Sequence, residues 1–238
     1  MSDSPLLQLD AVSVEVDGKT VCRDVSLTID EGETHILLGP NASGKSSLLN
    51  AVMGTGPFTI ASGTVRLRGT DITDADVTER ARLGLGIATQ HPPGLPGVTV
   101  GKLAHAMVAD DRLAQAASTL KLDALIPRDV NVGFSGGEVK RWEVCKLLLQ
   151  QPTMCLFDEP ESGVDLEHVA VVGRAVSELM STPAPDGGGR GALVITHTGF
   201  ILDYVDTARG HLMVDGGLVE SGDARTMFEK IRRTGFAA

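Results

Sequence analysis

Residues 39–46, Gly-Pro-Asn-Ala-Ser-Gly-Lys-Ser, constrain the fold of this 238-residue chain more than any other segment. They fit the pattern G-x-x-x-x-G-K-[ST] and stand between an apolar run, 35–38, and a predicted helix over 44–53. Such a loop turns backbone N–H groups towards phosphate oxygens at a helix N-terminus. Lys45 would neutralise the phosphates, and Ser46 would offer an oxygen to Mg²⁺. The segment predicts a phosphate-binding loop formed by Gly39, Pro40, Asn41, Ala42, Ser43, Gly44, Lys45, Ser46 and Ser47.

Two carboxylates follow a second apolar run, 154–157. We expect Asp158 to hold Mg²⁺ directly or through water, and Glu159 to polarise an attacking water. Acidic residues are common at strand ends, so this pair alone decides little. Downstream of a phosphate-binding loop, the pair predicts hydrolysis of a nucleoside triphosphate.

The segment Ser135-Gly136-Gly137 precedes a predicted helix and resembles a second anion-binding end. By itself it would be read as a simple helix cap. Two such ends in one chain make sense when two ATP molecules lie across a dimer. Each chain would then give its phosphate-binding loop to one ATP and its Ser-Gly-Gly segment to the other.

The order of these motifs resembles that of an ABC ATPase over almost the whole chain. The resemblance implies that Gln90 couples Mg²⁺ to a helical subdomain and that Asp165 belongs to a loop crossing the dimer. It also implies that His197 contacts the γ-phosphate, with Glu159 and Lys45 as the other catalytic residues. The expected reaction is ATP + water → ADP + phosphate in a dimer closed face to face.

The hydrophobic patterning predicts an α/β fold: a P-loop ABC ATPase core with a parallel sheet, an N-terminal antiparallel β edge and an inserted helical subdomain. Residues 1–238 form one ABC ATPase domain in this interpretation. Residues 1–90 and 151–238 make the catalytic α/β core, and residues 91–150 make the helical subdomain. Trp142 is expected to pack inside that subdomain.

Composition narrows the functional classes. The net charge of −10 and the 3% aromatic content argue against a nucleic-acid surface. No apolar run reaches the length of a membrane span, and residues 1–4 lack the basic stretch of a signal peptide. Three cysteines without a CxxC pair suit a reducing compartment and are expected as small core residues. The chain is predicted to be cytoplasmic.

Several segments resemble the SufC family, the ABC ATPases of iron–sulfur cluster assembly by the Suf system. Glu138 stands where transporter ATPases usually carry Gln, and residues 91–98 and 217–223 are similar to SufC segments. The resemblance implies SufB- and/or SufD-like scaffold partners and self-dimerisation with ATP. His91, Leu95 and Val98 are expected on the partner-binding rim. Pro160, Glu161 and Val139 depart from the SufC pattern.

Two alternatives stay open. One is the ATPase subunit of a membrane ABC importer, which Pro160 favours and Glu138 opposes. The other is a nucleotide-gated scaffold with little turnover. The presence of Glu159 and His197 speaks against that second alternative, because a pure switch could lose them.

Overall fold

The computed structural model describes residues 4–107 and 109–236; Met1, Ser2 and Asp3, which entered the signal-peptide argument, lie outside the described residues. The strands are β1 Leu7–Val16, β2 Lys19–Ile29, β3 Thr34–Leu38, β4 Thr59–Leu67, β5 Thr70–Asp71, β6 Leu85–Ala88, β7 Met154–Asp158, β8 Gly191–Ile195, β9 Arg209–Val214 and β10 Gly217–Gly222. The α-helices are α1 Lys45–Met53, α2 Val77–Arg82, α3 Val100–Ala106, α4 Asp110–Thr119, α5 Gly136–Gln150, α6 Leu166–Ser181 and α7 Ala224–Thr234. Two 3₁₀ turns span Asp123–Leu125 and Phe200–Asp203.

A six-stranded sheet forms the centre, in the order β10-β9-β3-β8-β7-β6. All its pairings are parallel except that of β9 with β10. Every residue of β3, β7 and β8 is buried, as expected for strands covered on both faces. The carboxyl ends of β3, β7 and β8 therefore meet at one edge, where α/β proteins bind their ligands.

A second sheet, β2-β1-β4-β5, is antiparallel throughout and supplies the predicted N-terminal β edge. β1 and β2 are joined by Asp17 and Gly18, both with left-handed backbone, so the turn matches the twist of the strands. β4 begins at Thr59, five residues before the predicted start at Thr64. The extension pairs with β1 as far as Glu15, across a register shift that the local sequence pattern does not reveal.

The region 91–150 holds α3, α4, one 3₁₀ turn and α5, as its helical periodicity predicted. Trp142 is buried, and so are Cys22, Cys145 and Cys155, which are all free thiols. Helix α5 packs against β6 as well as against α4 and α6, so it joins the insertion to the sheet. The division of the chain at residues 90 and 150 stays a prediction.

A chain of hydrogen-bonded polar side chains crosses β3, β9 and β10, with His35 and His211 buried at its centre. His35 Nδ1 lies 2.9 Å from His211 Nε2, and His211 Nδ1 lies 2.8 Å from the Ser221 hydroxyl. The other nitrogen of His35 lies 3.0 Å from a Glu33 carboxylate oxygen. Burial lowers the pKa of His211 from its ordinary 6.5 to about 4, because the charged ring loses its hydration.

Within residues 4–107 and 109–236, no helix is both long enough and apolar enough to cross a membrane.

Candidate active site

The phosphate-binding loop connects the buried strand β3 to helix α1. Gly39 is required for packing, since a Cβ there would lie 2.2 Å from the Met213 carbonyl oxygen. Gly44 has left-handed backbone (φ 99°), and a Cβ there would lie 2.7 Å from the Val21 carbonyl oxygen. Both glycines are therefore dictated by the close approach of neighbouring backbone, and they leave the loop's N–H groups free of side-chain cover.

Lys45 is the first residue of α1 and is 4% exposed. Its ammonium donates to the carbonyl oxygens of Gly39 at 2.9 Å and Pro40 at 2.8 Å. Loss of hydration lowers its pKa, and the nearby carboxylates of Glu159 and Asp158 oppose that shift. A buried positive charge thus lies inside the loop, where phosphate oxygens are predicted to bind.

Ser46 and Asp158 bring two oxygens together at the carboxyl end of β7. The Ser46 hydroxyl donates to Asp158 Oδ1 at 3.0 Å. Asp158 is 3% exposed, and burial raises its pKa. Hydroxyl and carboxylate oxygens are ligands that Mg²⁺ prefers, and these two lie close enough together to bind one ion.

Glu159 follows Asp158 and is held by two side chains from different strands' ends. Gln90, two residues after β6, donates from Nε2 to one carboxylate oxygen at 2.7 Å. His197 Nε2, two residues after β8, lies 2.7 Å from the other oxygen. Glu159 has left-handed backbone (φ 52°), an unfavourable conformation for a non-glycine residue that is often found at functional sites.

One open cleft of about 660 Å³ lies at these elements, and the predicted Gly39, Pro40 and Asp158 are not among its lining residues. The sequence-predicted residues that line it are Asn41, Ala42, Ser43, Gly44, Lys45, Ser46, Ser47, Gln90, Glu159 and His197. The cleft is larger than a single phosphate group, so its volume suits the triphosphate of a nucleotide. Phe236, which sequence reasoning did not single out, also borders the cleft.

The Ser-Gly-Gly segment does not line this cleft. Ser135 is the N-cap of α5 and forms a capping box with Glu138: each side chain bonds the other residue's backbone N–H. Ser135 and Gly136 are exposed. Asp165 caps α6 and accepts from the His168 N–H at 3.1 Å, again on the exposed surface. Within one chain, therefore, these three residues stand apart from the loop that binds phosphate.

Three buried charged residues beside the cleft escaped prediction. Lys140 donates to the carbonyl oxygen of Gln90 at 3.1 Å, and Glu143 accepts from Thr89. Glu161 accepts hydrogen bonds from the hydroxyls of Thr196 and Thr198, the residues on either side of His197. Nothing in the local sequence distinguishes these residues, because both segments carry several other charged residues and the partners lie far away in sequence.

Glu161 has one carboxylate oxygen, Oε2, that is buried and has no hydrogen-bond partner among the described residues. Burial raises its pKa above the ordinary value for a glutamate. Each of the two residues that hold Glu159 thus has a chain neighbour bound by a buried carboxylate. Glu143 binds Thr89, next to Gln90, and Glu161 binds Thr196 and Thr198, on either side of His197.

The fold and the cleft together define an ATP-binding cassette. The family model described as ABC transporter matches residues 22–162, more than half of the chain. The chain therefore belongs to the ABC transporter family, and the predictions of an ABC ATPase fold and of an ATPase are confirmed at that level.

Curated relatives align over nearly the full length. The chain is 36% identical to a probable ABC transporter ATP-binding protein of Streptococcus pyogenes serotype M18, over 98% of this chain and 94% of the relative. It is 32% identical to the probable ATP-dependent transporter SufC of Escherichia coli K12, over 97% of each chain. The resemblance to SufC is thus confirmed across the whole sequence.

Solved structures support the fold. A nucleotide-free ATP-binding cassette from an ABC transporter superposes with a TM-score of 0.76 at 23% identity, over 96% of this chain and 95% of that one. A dimeric cassette in a post-hydrolysis state with ADP and Pi gives a TM-score of 0.77 at 20% identity, over 92% and 99%. At these identities the likeness concerns the fold.

Proposed function

We propose that the chain hydrolyses MgATP as a nucleotide-closed dimer and drives a conformational change in a SufB/SufD-type scaffold during iron–sulfur cluster assembly in the cytoplasm. The observation that carries the ATPase part is the placement of Glu159. Its two carboxylate oxygens lie 2.7 Å from Gln90 and His197, in the same cleft as Lys45 and Ser46. Two chain segments far apart in sequence, those of Gln90 and His197, converge there on the carboxylate of a third.

The residues present fit ATP and Mg²⁺. Gly39 and Gly44 let the loop pack closely against neighbouring backbone, and Lys45 supplies a buried positive charge. Ser46, Asp158 and Gln90 would provide oxygens for Mg²⁺, which when bound neutralises charge on the phosphates. The fit rests on the donor set: hydroxyl, carboxylate and amide oxygens suit a hard cation.

Each residue has a role that its contacts support. Lys45 binds the β- and γ-phosphates, and the N–H groups of the loop position them. Glu159 orients the attacking water and takes up its proton in part, while His197 keeps Glu159 in place and faces the γ-phosphate. The hydrogen bond from Gln90 fixes the orientation of the same carboxylate.

Hydrolysis in this proposal needs a second copy of the chain. Ser135, Gly136, Gly137 and Asp165 do not line the cleft of their own chain, and Ser135, Gly136 and Asp165 lie exposed. In a face-to-face dimer the Ser135 end would meet the γ-phosphate bound by the other copy. Closure then completes two sites at once.

The Suf assignment rests on the relatives, and the proposed partner would bind one exposed surface. The loop after Gln90 exposes Leu95, and the neighbouring Val132 is also exposed. A hydrogen bond from the Leu95 N–H to the Val130 carbonyl oxygen at 2.8 Å holds the two segments together. His91 is exposed as predicted, whereas Val98 is half-buried because its backbone pairs with Val130 and Leu95.

The importer alternative would place a permease on the same surface. The streptococcal relative, named a probable ABC transporter ATP-binding protein, keeps this alternative in view. Both functions use the same cleft, so the partner decides between them.

A pull-down from native lysate tests the partner. We expect SufB- or SufD-like proteins to co-purify with the wild-type chain and to be lost with Leu95→Asp, because the new charge would be buried unpaired in the interface. Val77→Asp is the matched control: Val77 is 39% exposed and Leu95 36%, and Val77 lies on α2. A membrane permease in the wild-type pull-down, without any SufB- or SufD-like protein, would contradict the Suf assignment and leave the ATPase chemistry standing.

A further inference from the structure

Helix α5 grips the segment that carries Gln90 through a buried carboxylate. Glu143, in the middle of α5, has a side chain that is 2% exposed. Its Oε2 accepts from the Thr89 backbone N–H at 2.8 Å and from the Thr89 hydroxyl at 3.1 Å. Lys146 lies 2.9–3.0 Å from both carboxylate oxygens and balances the charge. Thr89 is therefore fixed immediately before Gln90.

Lys140, one turn earlier in α5, fixes the same segment from the other side. Its ammonium donates to the Gln90 carbonyl oxygen at 3.1 Å and lies 3.5 Å from the carbonyl oxygen of Asp158. Loss of hydration lowers the pKa of Lys140, and four surrounding carboxylates oppose that shift, with Asp158 foremost. The Thr89 N–H and the Gln90 carbonyl oxygen are thus both hydrogen-bonded to side chains of α5.

The spacing along α5 connects these contacts to the other end of the helix. Gly136, Lys140 and Glu143 are four and three residues apart and share one face. At 1.5 Å per residue, Glu143 lies about 10 Å along the axis from Gly136. A hydrogen-bonded helix transmits a displacement of its first turn over that distance without internal rearrangement.

We propose that Glu143 is a positioning residue that sets Gln90 against Glu159, so that the cleft of each chain depends on where the N-terminus of its own α5 lies. In a dimer that N-terminus contacts the ATP of the other copy. Docking at one site would then adjust Gln90 at the second site through Thr89 and Glu143. The inference rests on the ATPase half of the proposed function and needs no Suf partner.

A purely structural role is the competing explanation. Glu143 could simply anchor α5 to the sheet, as buried ion pairs often do. Such a role would lower stability and affect activity regardless of Gln90. A positioning role acts through Gln90 alone, and a double-mutant cycle separates the two.

The cycle combines Glu143→Gln with Gln90→Ala and measures MgATP hydrolysis by the full-length chain. We expect Glu143→Gln to lower kcat about ten- to a hundredfold, as for a small misplacement of a catalytic group. Binding of a fluorescent ATP analogue should change less than about twofold, because the phosphate loop is built from other segments. In the Gln90→Ala background the same substitution should have no further effect on kcat.

Two more variants keep the test decisive. Lys146→Met removes the counter-ion but leaves both Thr89 bonds, so kcat should stay near that of the wild type. Thr89→Val removes one hydroxyl donor and should lower kcat several-fold, less than Glu143→Gln, because the bond from the Thr89 backbone N–H to Glu143 remains. Thr89→Val replaces Glu143→Gln in the cycle if the latter does not fold.

Equal losses of kcat in the wild-type and Gln90→Ala backgrounds would overturn the proposal, as would a wild-type kcat in both Glu143→Gln and Thr89→Val. Failure of the proposed function has a different signature. It would appear as a wild-type chain that hydrolyses no MgATP before any variant is compared.

Discussion

Two helix N-termini in the chain, those of α1 and α5, suit the binding of phosphate, and they are built differently. In the loop before α1, Lys45 is buried and the groups around it are paired with one another: Ser46 with Asp158, and Glu159 with Gln90 and His197. At the start of α5, Ser135 is exposed, and among the described residues its side chain bonds within its own helix, to the backbone of Glu138. The charged groups at the N-terminus of α1 find their partners within one chain. The N-terminus of α5 is capped by its own first turn and faces solvent.

This difference indicates which part of the proposed ATP site forms when each chain folds and which part is added when the dimer closes. A site that buries charge must be assembled during folding, because an unpaired buried charge is costly. A helix cap that needs nothing beyond its own first turn can wait on the surface for a ligand brought by another chain.

The largest effect is expected at Glu159. Glu159→Gln should keep the hydrogen bonds of the cleft but lose the base, and slow hydrolysis by about 10²–10⁴-fold. ATP binding should persist, so the closed dimer should accumulate. Steady-state hydrolysis and gel filtration with MgATP measure both. Normal turnover in this variant would show that Glu159 does not position the water.

The next measurement asks whether the two ends serve one ATP from opposite chains. Lys45→Ala should weaken ATP binding by about 1.5–3 kcal/mol, and Ser135→Ala should lower turnover about ten- to a hundredfold while binding remains. At an ATP concentration near the wild-type Kd, either variant alone should therefore hydrolyse ATP much more slowly than the wild type. In a mixed dimer one site combines a wild-type Lys45 with a wild-type Ser135, so an equimolar mixture should recover about a quarter of wild-type activity. A mixture as inactive as its components would contradict the shared site.

The smallest effect concerns the stability of the sheet that carries the buried end. His35 lies on β3, which leads directly into the phosphate-binding loop, and it contacts His211. The unfolded chain takes up the His211 proton near pH 6.5 and the folded chain only near pH 4, so stability falls as the pH drops through that window. Between pH 8 and pH 5 this one group should remove about 2 kcal/mol.

Thermal or urea unfolding between pH 8 and pH 5 checks this expectation. His211→Asn keeps a hydrogen-bonding side chain without the titration, and its stability should depend less on pH than that of the wild type. Carboxylates elsewhere are common to both proteins and cancel in the difference. Identical pH curves for the two proteins would show that His211 is not the group responsible.

The sequence predicted the elements that a local pattern specifies. The phosphate-binding loop was located because its glycines, lysine and serine stand at fixed spacing between a strand and a helix. The buried strands β3, β7 and β8 were visible as short apolar runs, and the β1–β2 turn as Asp17-Gly18. The cleft brought together the predicted Lys45, Ser46, Gln90, Glu159 and His197.

Contacts between distant segments could not be read in the same way. Glu143 meets Thr89 across 54 residues, Glu161 meets Thr196 across 35, and His35 meets His211 across 176. Each residue looks locally like an ordinary charged or polar position, and only the packing of helix and strands shows that it is buried. The early start of β4 has the same origin, because a register shift against β1 depends on the partner strand.

The burial of the three thiols has a consequence for the chemical surroundings in which the chain can work. Loss of hydration raises the pKa of Cys22, Cys145 and Cys155 to about 12 in each case. At neutral pH only about one thiol in 10⁵ is then ionised, and the thiolate is the form that attacks disulfides, peroxides and metal ions. Cys22 lies against the phosphate loop, with its sulfur 3.4 Å from the Gly44 carbonyl oxygen. In the proposed Suf role, a chain built in this way could handle ATP next to labile sulfide and iron without its own sulfur atoms entering the exchange.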